Sequence, residues 1–170
     1  KKSKYIKNVY VSTDSEEISK ISRDFGAKTP FLRPSYLASD TASDKQVFSH
    51  FVNESKKLNF AISEDIVHLR PTTPGRNVEI VDAAILEFLS DSKCTSMRSA
   101  HESDLHPHKW FNLKEGKFIP IISSNSDIEI TNMPRQTFPK AYIPNGYIDI
   151  VRFSTFKNNG KFHGNYIKSF

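Results

Sequence analysis

The sequence predicts an α/β protein built on a parallel, doubly wound sheet, with a β-rich excursion in its second half. Three observations lead there. Through residue 100, short β-branched runs alternate with amphipathic ones, the order that lays helices on the faces of a parallel sheet. After His101 the alternation stops, and short strand candidates separated by turns take over. With 170 residues, 37% of them hydrophobic, the chain can bury a sizeable core and does not have the composition of a disordered protein.

Taken in order, residues 1–7 read as the end of something rather than the start of a domain. Residues 9–12 form the first strand, and Thr13-Asp14-Ser15-Glu16 follows as a helix-start signal with Glu16 three places after Thr13. Ile18, Ile21 and Phe25 recur at helical spacing, and Gly26 stands where a helix-ending glycine belongs. Residues 28–32 are a second strand and residues 33–44 a loop. Ser43 and Gln46 make a capping box for a helix whose apolar face carries Val47, Phe48, Phe51, Val52 and Leu58. Residues 66–69 read as a buried strand. A third helix, at residues 78–89, is capped by Asn77 and presents Val81, Ala84, Ile85, Phe88 and Leu89. Residues 94–100 form a fourth strand. Beyond it, candidates at 110–113, 118–121 and 140–143 surround the polar run at 123–132, and residues 147–153 return to the sheet. The nucleotide-binding-type α/β part is thus drawn at residues 1–100 and 144–170, with the excursion at 101–143.

The formal charge of +5 and a pI near 9.2 suit an anionic partner. Because the basic residues are scattered and no RRM, zinc-finger or helix-turn-helix signature accompanies them, small anionic ligands are favoured over nucleic acid. No apolar run approaches membrane-span length and no signal peptide opens the chain, which makes no membrane and the cytoplasm the default expectations. The one cysteine, Cys94, excludes an internal disulfide and reads as a buried strand thiol.

Five stretches can carry chemistry. Residues 68–77 (His-Leu-Arg-Pro-Thr-Thr-Pro-Gly-Arg-Asn) leave a strand for a helix, the place where open α/β sheets bind ligands; a proline-stiffened turn explains them equally. Thr13-Asp14-Ser15 could touch a ligand or metal, though a helix cap accounts for it. In residues 33–43, one arginine, several hydroxyls and Asp40 precede a helix N-terminus that favours an anion or a polar base edge. Residues 101–109 crowd three histidines and two acids into one loop, which fits exposed histidines in a solvated turn better than zinc. Finally, Arg135, in the proline-punctuated stretch 134–139, is an anion candidate, and Asn145-Gly146 is a turn signal.

Four segments taken together resemble one family. Val-Ser-Thr-Asp-Ser (11–15), Arg-Pro-x-x-Leu-Ala-x-Asp-Thr-Ala-Ser (33–43), Leu-Arg-Pro-Thr-Thr-Pro-x-Arg (69–76) and Pro-Arg-Gln-x-x-Pro-x-x-Tyr-x-Pro-Asn-Gly (134–146) are similar to the acylneuraminate cytidylyltransferases, which make CMP-activated sialic and related nonulosonic acids. The resemblance implies a Rossmann-like, mostly parallel sheet of the nucleotide-diphospho-sugar transferase type, with a dimerisation excursion. It implies attack by the sugar's anomeric hydroxyl on the α-phosphate of CTP, with pyrophosphate leaving and Mg²⁺ assisting. Arg33, Thr41, Ala42, Ser43 and Arg70 would meet the nucleotide. Arg70, Pro71, Thr72, Lys109, Arg135, Gln136, Asn145 and Asp149 would serve the sugar. Lys109, Arg135 and Gln136 would do so across a homodimer, and Arg70, where many sialic-acid members have glutamine, suggests a legionaminic-type substrate. The family's opening phosphate loop and its Asp-x-Asp metal pair have no counterpart here. The expectation is therefore a fragment with no catalytic residue of its own to name, no metal ligands and little transferase activity alone. A catalytically inactive binding or assembly module and a basic nucleic-acid-binding domain are the alternative readings.

Overall fold

Local capping chemistry decides where the three longer helices begin. The computed structural model describes residues 2–122 and 128–170, so Lys1 and the first half of the polar run at 123–132 lie outside the described residues. In chain order the elements are α1 (Glu16–Asp24), α2 (Asp44–Lys57), β1 (Asp65–His68), α3 (Val78–Leu89), β2 (Ser96–Glu102), β3 (Phe111–Lys114), β4 (Lys117–Pro120), β5 (Tyr142–Arg152), α4 (Phe153–Asn159) and β6 (Ile167–Ser169). The Ser43–Gln46 capping box starts α2 as expected. Asn77 caps α3, its Oδ1 accepting from the N–H groups of Glu79 at 2.7 Å and Ile80 at 3.3 Å. At α1 the expectation fails by two residues. Ser15 is the cap, accepting from Ile18 N–H, while Thr13 Oγ1 accepts from Ser15 N–H and so fixes the turn before the helix.

The chain divides into two units, Lys1–Arg98 with Tyr147–Phe170, and Ser99–Gly146. The main sheet has the order β1-β5-β2-β6, with β1 antiparallel to β5 and β2 parallel to β6. The bonds Arg152 N–H to Thr95 O and Ser103 N–H to Ala141 O ascend along β2 while descending along β5, so that pair is antiparallel too. The sheet is therefore mixed rather than mostly parallel in its pairings. The physical reason is the returning strand: β5 inserts between β1 and β2, which α3 connects. The strands expected at 9–12 and 28–32 reduce to one parallel bridge, Tyr10 with Lys28.

Strand alternation sorts the side chains of β5. Ile148 and Ile150 join Val81, Ala84, Ile85 and Phe88 of α3, with Cys94 and Met97, in the core. Burial pushes the Cys94 thiol pKa up, as suits an inert core residue. Asp149 points to the opposite face, where His68 stands directly across from it on β1. That face is covered by aromatic rings, Phe48 of α2 meeting Phe156 of α4 at 4.8 Å and Phe162 at 5.3 Å.

In the second unit, β3 and β4 form a hairpin turned by Glu115 and Gly116, both at positive φ (51° and 75°). The turn expected at Asn145-Gly146 is absent. Both residues lie inside β5, where Gly146 absorbs a φ of 67° that would strain any other residue, so the two strands expected at 140–143 and 147–153 are one. The histidine-rich loop also departs from expectation. His101 is exposed, but His106 is buried and His106 and His108 both stack on Phe138, at 4.9 and 4.7 Å. His106 Nε2 reaches Pro139 O at 2.7 Å, and its Nδ1 accepts from His108 N–H. An aromatic surface and a carbonyl acceptor from the 134–139 stretch, invisible in the loop's own sequence, make the burial favourable.

Candidate active site

The loop after β1 is held by its two arginines. Arg76 folds it back on itself, donating from Nη2 to Arg70 O at 2.7 Å and from Nε to Tyr147 O at 2.5 Å. Arg70 ties the loop outward. Its Nη1 donates to Asp149 Oδ2 at 2.6 Å and its Nη2 to Asp44 Oδ2 at 2.5 Å. Asp44 is the first residue of α2, so this bond brings the loop at 69–77 against the helix start that ends the 33–43 stretch. Burial alone would raise the Asp44 carboxyl pKa, but the bond and charge of Arg70 outweigh it and hold the group below its ordinary value. The other oxygen of Asp149 accepts from Arg98 Nε of β2 at 3.2 Å. Asp149 is only 1% exposed, whereas Arg70 and Arg98 keep 25% and 29% of their side-chain surface. One buried carboxylate thus organises two half-open guanidinium groups.

Two imidazoles border this cluster. Burial pushes the pKa of both His68 and His163 down, and Arg98 adds to the effect on His163. The Nδ1 of each is buried without a hydrogen-bond partner among the described residues. Because these groups bind protons less readily folded than unfolded, the unfolded chain takes up more of them as pH falls. Their contribution to stability is expected to be complete above the ordinary imidazole value of 6.5 and to be lost as pH drops through the lower folded-state values. Urea midpoints at about pH 7.5 and about pH 5.5 check this. The paired change His68→Gln and His163→Gln should flatten the difference; an unaltered difference would rule these two groups out.

The remaining residues singled out in the sequence are placed as follows. Arg33 N–H donates to Thr13 O at 2.7 Å, and its Nη2 lies 4.0 Å from Asp14. Its Nε is buried without a partner among the described residues. Ala42 N–H closes a turn on Ser39 O, Thr41 Oγ1 is 3.3 Å from Ser39 Oγ, and the Ser43 hydroxyl is engaged in the capping box. Pro71 and Thr72 are exposed. In the second unit, Lys109 Nζ donates to Thr131 O at 3.2 Å and Arg135 Nη1 to Asp104 O at 3.0 Å. There, too, Gln136 is exposed and Asn145 Oδ1 accepts from Ser99 Oγ at 2.6 Å. Asp44 and Arg98 were missed by sequence reasoning. For Arg98 the available signal was a cation directly after the apolar-leaning run at 94–97, with Asp149 as an acid among Ile148, Ile150 and Val151, because buried charges require partners.

The Mg²⁺ that the resemblance implies meets no ready-made protein cage among the described residues. Among the described residues no group of three His, Cys, Asp or Glu side chains could hold a metal, and Asp44 and Asp149 already accept from guanidinium groups. No helix among the described residues is long and apolar enough to cross a membrane.

Comparison with known proteins adds the following. No model of a protein family matches the chain. Post-translational flagellin modification protein B of Campylobacter coli is 31% identical over 153 residues, 89% of this chain and 62% of the relative. Pseudaminic acid cytidylyltransferase of Campylobacter jejuni is 31% identical over 83 residues, 49% of this chain and 35% of the relative. N-acylneuraminate cytidylyltransferase of Streptococcus agalactiae is 26% identical over 157 residues, 92% of this chain and 35% of the relative. The chain therefore spans less than two thirds of each. In fold it is similar to a solved structure of CMP:2-keto-3-deoxy-manno-octonic acid synthetase complexed with CTP, with a TM-score of 0.59 at 12% identity over 94% of this chain and 62% of the other.

Proposed function

We propose that this chain, a member of the cytidylyltransferase family, serves the transfer of CMP from CTP to a nonulosonic acid, with release of pyrophosphate. The observation that carries the reading is the Arg70–Asp44 bond, which joins the two family-like stretches at 33–43 and 69–76 into one locus at the start of α2. A helix N-terminus and guanidinium groups side by side suit a nucleotide phosphate or a sugar carboxylate. In this reading Arg33, Thr41, Ala42, Ser43 and Arg70 border the nucleotide. Arg70, Pro71, Thr72 and Asp149 border the sugar. Lys109, Arg135 and Gln136 contribute to the sugar across a homodimer, Asn145 serves it from the returning strand, and Arg70 favours a legionaminic-type sugar. What these groups supply is positioning and charge compensation, the main work in a phosphoryl-centre displacement.

Calorimetric titration of the chain with CTP, alongside a pyrophosphate-release assay with a nonulosonic acid present, tests the reading. Saturable CTP binding is expected, with little pyrophosphate formed by the isolated chain. Binding of CTP no tighter than of an unrelated anion such as sulfate would overturn it. Arg70→Gln should alter sugar preference more than CTP affinity, since glutamine cannot bridge Asp44 and Asp149 together. A change confined to CTP affinity would remove Arg70 from the sugar side.

A further inference from the structure

We propose that Arg98 is the side chain that grips a ligand's anionic group, carboxylate or phosphate, at this site, and that Asp149 is its positioning residue. The inference rests on the cytidylyl-transfer reading for its choice of probes, and its own support is the hydrogen-bond inventory of the two arginines. A guanidinium carries five N–H donors in a rigid fork. Arg70 has both terminal nitrogens committed, one to Asp149 and one to Asp44. Arg98 has committed only Nε, to Asp149 Oδ1. Among the described residues neither of its terminal nitrogens has a hydrogen bond, and neither is a buried orphan. They face solvent on a side chain that is 29% exposed.

The planar geometry then sets direction. With the Nε edge pinned to a buried carboxylate, the terminal edge points away from Asp149. That edge presents two parallel donors, the arrangement that matches a carboxylate or phosphate. The surroundings are fixed as well. Arg98 O accepts from Phe170 N–H at 3.0 Å, locking β2 to the end of the chain. Thr95 and Ser96 hydroxyls both donate to His163 O at 2.8 Å, which seats the segment carrying His163 beside β2. The buried, unpartnered Nδ1 of His163 supplies a further polar atom near the same charge. The two arginines therefore differ in office: Arg70 is a strut between two carboxylates, and Arg98 is a preorganised open fork.

The test is calorimetric titration of the full chain and its Arg98→Ala and Arg98→Lys variants with CTP and, separately, with N-acetylneuraminic acid. Loss of a charge-assisted pair of hydrogen bonds should weaken binding of one probe by about tenfold or more in Arg98→Ala. Lysine is expected to recover only part of that, because a point charge cannot make two parallel bonds. Weakening confined to N-acetylneuraminic acid identifies the anion as a sugar carboxylate, and weakening confined to CTP identifies a phosphate; either supports the proposal. Should Arg98→Ala fail to fold, Arg98→Lys, which keeps a cation beside Asp149, carries the comparison alone. Wild-type affinity for both probes in folded variants overturns the role of Arg98 and leaves the cytidylyl reading standing. A wild-type chain that binds neither probe overturns both.

Discussion

Replacing Asp149 with alanine is expected to lower stability by about 3 kcal/mol, at the low end of the cost of breaking a buried ion pair. Its carboxylate is 1% exposed and is shared by two guanidinium groups, so its loss leaves Arg98 without a counter-charge and Arg70 with only Asp44. The low end applies because both arginines retain contact with water. Urea unfolding followed by circular dichroism measures the effect. A second comparison separates stability from binding: Asp149→Leu combined with Arg98→Met removes the charge together with its dependent partner. That pair should regain much of the lost stability, as apolar replacements of buried ion pairs often do, and should still bind the anionic probe no better than Arg98→Ala. If Asp149→Ala unfolds at the wild-type urea concentration, the carboxylate does not organise this cluster.

Gly164→Ala should be comparably damaging, for a steric reason. Gly164 sits at φ +73°, and an added Cβ would lie 2.6 Å from Thr155 Cγ2 and Thr95 Oγ1 and 2.7 Å from Thr95 Cβ. The left-handed backbone costs a residue with a Cβ roughly 1–2 kcal/mol, and forcing extra volume into a packed site adds about 1–3 kcal/mol. Thr95 cannot simply turn away, because its single hydroxyl proton is shared between His163 O and Tyr166 O, each at 2.8 Å, and its oxygen accepts from Tyr166 N–H. Displacing the segment would move His163, so probe binding should weaken along with the drop in melting temperature. A variant that melts and binds as wild type would mean that the segment at 160–166 has more room than its contacts imply.

What the sequence made legible was what is settled locally. Ser43 with Gln46, and Asn77 ahead of an apolar helix, announce helix starts because the bonds involved span two or three residues. At α1 two hydroxyls competed for one cap, and Ser15 took it while Thr13 braced the turn before it. Asn145-Gly146 carries the dipeptide of a tight turn, but the chain runs through it as a single strand, with Gly146 absorbing the one left-handed φ. Within the candidate site, the stretch carrying Arg70 was singled out by its place between a strand and a helix, whereas Asp149 was named from resemblance alone. Their bond spans 79 residues, and that between Arg98 and Asp149 spans 51, so only the folded sheet reveals that they share one carboxylate. His106 escaped for the same reason, its stacking partner Phe138 lying in another stretch of the chain.

The arginine–aspartate cluster also has a bearing on kinetics. Arg70 and Arg98 are balanced by Asp44 and Asp149, two positive charges against two negative. Seen from beyond a Debye length the four nearly cancel, so they exert little pull on an anion in free diffusion. The chain's net +5 must supply any steering, through basic residues scattered elsewhere in the sequence. Capture at Arg98 is then a short-range event governed by the alignment of two donors with two oxygens. Added salt should slow arrival more than it hastens departure, leaving the lifetime of the bound anion almost indifferent to ionic strength.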